Sequence, residues 1–414
     1  MNVIAAVLLI AFVSKFALET AAELLNLRAS RAELPPSLAD IYKPEDYARS
    51  QAYLRAATRF RLARHTLDLA VLLTFWFAGG FNWLDGVVRA WGFAPIVTGL
   101  FYIGLLFMAY GALTLPFGIY ETFVIEQRFG FNRTTPRTFV MDMLKGLVLG
   151  VLLGVPVLAG LLALFQYVGA YPWLYAWAAA AVFVLFMQYI TPSLIMPLFN
   201  KFVPMQAGEL KDAILKYAAS VKFPVKNISV MDGSRRSRRS NAFFTGFGRN
   251  KRIALFDTLI AQHTIPEMVA VLAHEVGHYK KRHIVQATAL SILQIGLVML
   301  LLSVILNGAA AYRAFSFGQT SVYAGLVILV FIYPLVDFIL SAGVLAISRL
   351  HETEADRFAV KTTTDPASMA SALKKLAATN LSNLTPHPFY VFLTYSHPPL
   401  AQRLKAIQRS ERAE

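Results

Sequence analysis

Long apolar runs separated by shorter polar stretches dominate the pattern of this chain. The hydrocarbon core of a bilayer is about 30 Å thick, so a helix needs about 20 mostly apolar residues to cross it. The first run has neither a basic start nor a small-residue cleavage site, which favours a retained helix over a cleaved signal peptide. Seven runs predict transmembrane helices, at residues 3–19, 66–84, 95–116, 140–164, 172–195, 284–307 and 321–347.

Two segments of mixed pattern remain, at residues 196–282 and 348–414. In the first, apolar and polar positions alternate as in strands, which predicts a strand at 222–232 and a β-hairpin from 241 to 257. A helix is predicted at 265–282, because Thr264 and Glu267 have the spacing of a capping box. The second segment adds predicted helices at 348–362 and 365–378.

These elements predict an α-helical integral membrane protein with an additional α+β domain that contains a short β-hairpin. The domain is divided along the chain, because a pair of apolar runs separates its two parts. The predicted organisation is transmembrane helices 1–5 with their loops in 1–195, the first part of the domain in 196–282, helices 6 and 7 in 283–347, and the second part in 348–414.

The composition agrees with a membrane protein. Of the 414 residues, 57% are hydrophobic and 15% are charged, and the mean hydropathy is +0.53. A soluble globular protein carries about 25% charged residues. The chain has no cysteine, which excludes disulfides, a thiolate nucleophile and cysteine metal ligands.

The formal charge of +15 predicts an anionic partner, either lipid headgroups or nucleic acid. The hydropathy favours the lipid bilayer. The densest basic run, 235–239, has no interleaved aromatic residues, so we interpret it as a solvated loop near the membrane surface and predict no nucleic-acid partner.

Basic residues are concentrated in alternate loops, which predicts the orientation. The loop at 27–65 carries eight Lys and Arg residues and the segment 196–282 carries fifteen, whereas the intervening loops near 85–94, 165–171 and 308–320 hold only Arg89 and Arg313. The positive-inside rule then puts the N-terminus outside and the domain in the cytoplasm. The absence of cysteine and of an endoplasmic-reticulum retrieval signal favours a bacterial inner membrane.

The predicted helix at 265–282 contains the sequence HEVGH, with His274, Glu275 and His278. Two histidines four residues apart on one helix face can bind a single zinc ion. Zinc lowers the pKa of a bound water from near 16 to about 7, so the carboxylate of Glu275 suffices as the general base. We therefore predict one Zn²⁺ per chain.

A catalytic zinc site needs a third protein ligand and an open position. The segment after the seventh apolar run offers His351, Glu352 and Glu354 as candidates. On a helix, Glu352 and Asp356 share a face, so Glu352 can bind zinc while Asp356 accepts the free N–H of a liganding histidine. The histidines without a partner at ligand spacing are interpreted as structural: His65, His263, His283 and His387.

The order and spacing of these motifs resemble those of the type I CAAX prenyl proteases, the seven-span zinc metalloproteases that process prenylated proteins. The segments that carry the resemblance are EQRFGFNRTT at 126–135, PSLIMPLFNKF at 192–202, NAFFTGFGRNKRIALFDTL at 241–259, HEVGH at 274–278, SRLHETEAD at 348–356 and YSHPPLAQRL at 395–404. The resemblance implies a zincin-like catalytic domain that caps a water-filled chamber enclosed by the helices.

The resemblance also assigns roles to individual residues. It implies that Glu352 is the third zinc ligand and that Asp356 supports the site. It implies that His397 and Arg403 lie near the scissile carbonyl, where hydrogen-bond donors would stabilise the tetrahedral intermediate. From spacing alone, a loop histidine and a surface arginine on a helix remain the simpler interpretation of these two residues.

The strand that begins the hairpin is a candidate substrate-binding edge. Zinc peptidases commonly bind an extended substrate as an added strand on an exposed edge. Asn241, Ala242 and Phe243 are the residues predicted to do so. The alternative is that the hairpin is purely structural.

The sequence therefore predicts a zinc-dependent membrane endopeptidase that hydrolyses a peptide or protein substrate. The resemblance implies removal of the C-terminal tripeptide that follows a prenylated cysteine. A membrane quality-control protease of broad specificity is an alternative with the same chemistry. A membrane transporter with a metal-binding site is an alternative of another class, and it predicts solute flux that survives Glu275→Gln.

Overall fold

The computed structural model describes residues 2–30, 34, 38–225, 227–239, 242–245, 252–363, 365 and 367–412. Helices dominate this part of the chain. They are α1 (Val3–Ala29), α2 (Pro44–Phe77), α3 (Gly80–Arg89), α4 (Pro95–Tyr120), α5 (Pro136–Leu149), α6 (Val155–Tyr167), α7 (Pro172–Ile190), α8 (Met196–Phe199), α9 (Glu209–Ser220), α10 (Asp257–Ile260), α11 (Ile265–Lys280), α12 (His283–Asn307), α13 (Ala309–Ala314), α14 (Val322–Thr362), α15 (Ala367–Thr379), α16 (Pro388–Thr394) and α17 (Leu400–Arg412).

Six of the described helical stretches are long and apolar enough to cross a membrane, and a bent pair of helices makes a seventh. Three of the six contain a short π-helical segment that joins or extends α-helices. The six stretches are Val3–Ala29, Pro95–Glu126, Pro136–Tyr167, Pro172–Phe199, His283–Asn307 and Val322–Thr362. The prediction of a multi-span helical membrane protein is therefore confirmed.

The bent pair occupies the second predicted span. The helices α2 and α3 meet at an angle of 62°, so the run at 66–84 is broken instead of straight. Gly79 adopts a φ of +73° at the break, a left-handed conformation that glycine takes without a steric penalty. The break lies in an uninterrupted apolar run, so the hydropathy pattern does not reveal it.

The spans bury little of their own surface against one another. None of the most apolar window of Pro172–Phe199 is buried, and in His283–Asn307 the buried share is 22%. A tightly packed bundle would bury an apolar stripe on each helix. Apolar side chains that are not buried in the protein are what a transmembrane helix presents to lipid.

The helix α14 is the longest element, with 41 residues and thus a length of about 60 Å. The sequence predicts a span at 321–347 and a separate helix at 348–362, but the structure joins them without interruption. Neither proline nor glycine lies between residues 344 and 362, so nothing in the sequence ends the helix at the membrane surface. The polar end of α14 is therefore rigidly connected to a transmembrane span.

A four-stranded sheet lies in the additional domain, in the order β1 (Phe202–Pro204), β2 (Asn227–Met231), β4 (Arg252–Phe256) and β3 (Ala242–Thr245). The strands β3 and β4 pair antiparallel, as the predicted hairpin requires, and β2 and β4 pair parallel. The turn of the predicted hairpin, 246–251, lies outside the described residues. The three-residue strand β1 was not predicted, because it is short and ends at a proline.

The core of the domain lies between this sheet and α11. Ile253 and Leu255 of β4 pack with Met268 and Leu272 of α11, and all four are at most 2% exposed. Burying each such side chain contributes about 1.5–3 kcal/mol. The opposite face of α11 is also buried, at Ala270 and Ala273, and Gly277 lies against Ala355 of α14, so α11 is enclosed on more than one side.

The contacts of the basic run at 235–239 differ from those expected from the sequence. Arg236 donates to both carboxylate oxygens of Asp142 in α5, at 2.8 and 3.0 Å. Arg239 donates to Glu126 at 2.9 Å and lies over the ring of Phe131. The expectation of a solvated loop is thus wrong for Arg236, which is half-buried, whereas Arg239 stays exposed; both arginines connect the domain to the membrane helices.

Candidate metal centre

The helix α11 begins at a fully formed cap. The backbone N–H of Thr264 donates to Glu267 Oε2 at 2.8 Å, as a capping box requires. Glu267 also accepts hydrogen bonds from Ser371 at 2.6 Å and Lys375 at 2.7 Å, both on α15. Burial raises the pKa of the Glu267 carboxyl, but these donors outweigh it and lower the pKa to about 2. The start of α11 is thereby fixed against α15.

Two imidazoles project from one face of α11. His274 and His278 are one helical turn apart, and their Nε2 atoms are 3.1 Å from each other. His274 is buried, whereas His278 is half-buried. When both Nε2 atoms are unprotonated, their lone pairs point at each other with no hydrogen between them. A cation bound by both nitrogens relieves this repulsion.

The third donor comes from α14. Glu352 Oε2 lies 3.4 Å from His274 Nε2, and Glu352 Oε1 lies 3.3 Å from His278 Nε2. Among the described residues, these three form the one group of histidine and acidic side chains that could hold a metal ion. Bonds of about 2.0–2.2 Å to a tetrahedral zinc place neighbouring donors about 3.3 Å apart, which matches the observed separations.

Two further observations fit a cation at this position. Glu352 is 6% exposed, and its Oε2 atom is a buried carboxylate oxygen without a hydrogen-bond partner among the described residues. Burial lowers the pKa of His274, but the carboxylates of Asp356 and Glu352 outweigh it and raise the pKa to about 9. The protein without metal therefore stabilises a positive charge where a metal would bind.

Asp356 lies behind the first histidine. Its Oδ1 atom is 2.8 Å from His274 Nδ1, the ring nitrogen that faces away from Glu352. Arg403 donates to both oxygens of Asp356, from Nε at 2.7 Å and from Nη2 at 2.6 Å. A carboxylate in this position fixes the ring and keeps the proton on Nδ1, so that Nε2 is free to bind a metal.

The other two candidates for the third ligand point elsewhere. His351 Nε2 lies 2.8 Å from Gln286 Oε1, and Glu354 Oε2 lies 3.2 Å from His283 Nε2. His351 and Glu354 are three residues apart on α14, so they share a face, which contacts His283 and Gln286 of α12. The structure therefore brings Glu352, and neither of its neighbours, to the two imidazoles.

Glu275 follows the first histidine on α11 and is half-buried. Burial raises the pKa of its carboxyl above the ordinary value, and the charges of the neighbouring imidazoles only partly oppose that effect. A raised pKa moves a carboxylate toward the working range of a general base at neutral pH.

His397 and Arg403 also reach the cluster. His397 Nε2 lies 3.4 Å from Glu352 Oε1, and its side chain is 59% exposed, so the ring lines an open side of the site. The loop that carries it is held by Arg349, whose Nη1 donates to Tyr395 O at 2.7 Å. Arg403 Nη2 is 3.7 Å from Glu352 Oε2, but its guanidinium is mainly engaged with Asp356.

The predicted substrate-binding residues fall partly outside the structure. Asn241 lies outside the described residues. Ala242 and Phe243 belong to β3, where they pair with Leu255 and Ala254 of β4. Among the described strands β3 pairs with β4 alone, so it forms an edge of the sheet.

Sequence reasoning missed one histidine of the cluster. His283 was interpreted as structural, yet its Nδ1 atom lies 3.0 Å from His278 Nδ1. The two residues are five positions apart, which is not a facing distance on a helix. They meet because α11 ends at Lys280 and α12 starts in a new direction at His283, after Arg282 with a φ of 58°.

The crossing of α11 and α14 is close because of Gly277. A Cβ atom at this position would lie 3.0 Å from Ala355 Cα and 3.1 Å from Ala355 O. We expect Gly277→Ala to push the helices apart, to destabilise the protein by about 1–3 kcal/mol, and to weaken zinc binding about tenfold. Thermal unfolding and a chelator competition titration measure the two effects.

Gly343→Ala is the matched control, since among the described residues none lies within 4 Å of a Cβ atom at Gly343 of α14. This control should bind zinc as the wild type does. Unchanged zinc affinity in Gly277→Ala would show that the helix separation does not set the ligand distances.

Comparison with known proteins gives a consistent result over nearly the whole chain. Residues 23–201 match the family model described as CAAX prenyl protease N-terminal, five membrane helices, and residues 204–411 match peptidase family M48. The CAAX prenyl protease 1 homolog of Arabidopsis thaliana is 37% identical over 409 positions, which cover 95% of each chain.

Two fungal proteins show the same similarity. CAAX prenyl protease 1 of Saccharomyces cerevisiae is 35% identical over 411 positions, which cover 92% of this chain and 89% of that protein. The crystal structure of S. mikatae Ste24p superposes with a TM-score of 0.93 at 31% identity, and the match covers 98% of this chain and 99% of that one.

Proposed function

Because this chain belongs to peptidase family M48, as a membrane zinc metalloendopeptidase of the CAAX prenyl protease type, we propose that it removes the C-terminal tripeptide that follows a prenylated cysteine. The observation that carries the proposal is the convergence of His274, His278 and Glu352, with donor atoms 3.1–3.4 Å apart, from two helices. We propose that these three residues hold one Zn²⁺ per chain.

Zinc bound at this position supplies a Lewis acid that polarises the scissile carbonyl and makes water nucleophilic at neutral pH. The chain supplies the proton transfers. Glu275 accepts the proton of the attacking water and then delivers it to the nitrogen of the leaving amine. Asp356 holds His274 in the tautomer that exposes Nε2, and Arg403 holds Asp356 through two hydrogen bonds.

The negative charge of the tetrahedral intermediate needs donors on the open side of the site. His397 is half exposed and close to Glu352, so we propose that its imidazole donates to the developing oxyanion. The guanidinium of Arg403 is engaged with Asp356, so we propose that it contributes mainly by its charge and by positioning that carboxylate.

An extended substrate fits beside the strand β3. Among the described strands β3 pairs with β4 alone, so no described strand covers its outer backbone groups, and α11 packs close to β3. We propose that Ala242 and Phe243 pair with the substrate backbone, and that Asn241 extends the same edge. This arrangement would align the scissile bond with the imidazoles of α11.

The orientation in the membrane is also a proposal. We propose that the N-terminus lies outside and that the catalytic domain, 196–282 with 348–414, lies in the cytoplasm, because the basic residues are concentrated in the loops on that side. The bacterial inner membrane stays a prediction, because the similar proteins named above are from eukaryotes.

The test compares a farnesylated CAAX peptide with the same peptide lacking the farnesyl group, using purified full-length protein in detergent. We expect kcat/KM to be at least tenfold higher for the farnesylated peptide, because burying each additional CH₂ group contributes about 0.8 kcal/mol. Equal kcat/KM values for the two peptides would instead support the quality-control protease of broad specificity. No cleavage of either peptide, with zinc bound, would contradict both proposals.

A further inference from the structure

A second imidazole stands behind the ligand His278. His283 is the first residue of α12 and is 3% exposed. Its Nδ1 atom lies 3.0 Å from His278 Nδ1, and its Nε2 atom lies 3.2 Å from Glu354 Oε2. His283 thus bridges a candidate metal ligand and a carboxylate that is half exposed to water.

One assignment of protons satisfies each contact in the row of side chains Glu354, His283 and His278. His278 Nε2 faces His274 and Glu352, so a metal bound there takes the lone pair of Nε2 and leaves the proton on Nδ1. That N–H donates to Nδ1 of His283, which must then be unprotonated. The proton of His283 is consequently on Nε2, where it donates to Glu354.

We propose that His283, with Glu354 behind it, is a positioning residue that fixes the ring orientation and the tautomer of His278. The inference rests on the proposed metal site. The two histidine ligands are then held in different ways. His274 contacts the carboxylate of Asp356 directly, at 2.8 Å, whereas His278 is linked to the carboxylate of Glu354 through the neutral imidazole of His283. Hydrogen bonds behind a ligand commonly change metal affinity 10–100-fold.

A purely structural role for His283 is the alternative that the test must separate. The ring of His351 stacks on that of His283, with centroids 3.9 Å apart and an interplanar angle of 8°. Loss of this stack would destabilise the fold without affecting His278. His351 itself contacts Gln286 and so does not belong to the row that ends at His278.

The matched pair of variants is His283→Leu and His351→Leu in the full-length protein. Both lose the stack, but only the first removes the acceptor that faces His278. His283→Asn adds a rescue variant, because its amide oxygen can replace Nδ1 as an acceptor. The zinc dissociation constant is measured by competition with a chelator of known affinity, and thermal unfolding of the metal-free proteins reports the structural effect.

We expect His283→Leu to bind zinc about 10–100-fold more weakly than the wild type, and His283→Asn to recover most of that loss. His351→Leu should keep wild-type zinc affinity, even though it lowers the melting temperature as His283→Leu does. A dissociation constant of His283→Leu within twofold of wild type, or equal losses in the two leucine variants, would overturn the proposal.

Glu354→Gln keeps the test decisive if His283→Leu fails to fold. The side chain of Glu354 is 48% exposed, so its replacement should leave the fold intact. We expect a loss of zinc affinity of more than twofold and up to about tenfold, and an affinity within twofold of wild type would overturn the proposal that Glu354 acts on His278 through His283. His278→Ala is the negative control and should bind no zinc. A wild-type protein that bound zinc no better than His278→Ala would contradict the metal site itself.

Discussion

Replacing Glu275 by glutamine should lower kcat for peptide hydrolysis by about 10²–10⁴-fold, the range typical of a lost general base. The amide of glutamine cannot accept the proton of the attacking water. It has nearly the size and shape of the carboxylate, so the helix α11 and the two imidazoles on it should keep their positions. Zinc content should therefore remain at one ion per chain, measured by elemental analysis of the purified variant.

The control is Glu209→Gln, which makes the same chemical change on α9, in the same domain but away from the imidazoles. It should retain wild-type kcat. If Glu275→Gln kept more than a tenth of the wild-type kcat, another residue would have to act as the base. Solute flux that survives this substitution while no peptide is cleaved would favour the transporter alternative.

Removing Glu352 should have the second large effect, the loss of the metal. A zinc site contributes about 10–16 kcal/mol of binding free energy. Divided over four coordination positions, each ligand contributes roughly 3 kcal/mol, which corresponds to about 10²-fold in affinity. Glu352→Ala should therefore lose zinc during dialysis that leaves the wild type loaded. The rate of hydrolysis should fall in proportion to the zinc lost and should reach background when no zinc remains bound.

Glu354→Gln is the graded comparison, because Glu354 lies two residues further along α14 and faces His283 instead of the cluster. It should lose far less affinity than Glu352→Ala. Retention of one zinc ion in Glu352→Ala after dialysis would exclude Glu352 as a ligand and would return the third position to the other candidates.

Local spacing explains what the sequence predicted well. The capping box, the i and i+4 histidines and the apolar runs are each determined within one or two helical turns, so a pattern in the sequence reports them directly. The pairing of Glu352 with Asp356 on one face is local in the same sense. Its placement beside His274, 78 positions earlier in the chain, needed the family resemblance.

Contacts between distant segments explain the failures. Nothing near Arg236 or Arg239 in the sequence announces Asp142 or Glu126, so a charge run looked solvated. His283 escaped notice because its partner lies across the break between two helices. The bend after α2 depends on one left-handed glycine inside an apolar run, where hydropathy has no contrast.

The uninterrupted helix α14 carries Glu352 on the same rigid element as a transmembrane span. Glu352 lies about 27 Å beyond Pro334, near the centre of the span, at 1.5 Å per residue. A tilt of about 5° around that point would move its carboxylate by about 2 Å, and helices tilt in response to bilayer thickness. The close crossing at Gly277 and Ala355 opposes such a movement, so we expect it to hold Glu352 beside the imidazoles of α11 when the thickness of the bilayer changes.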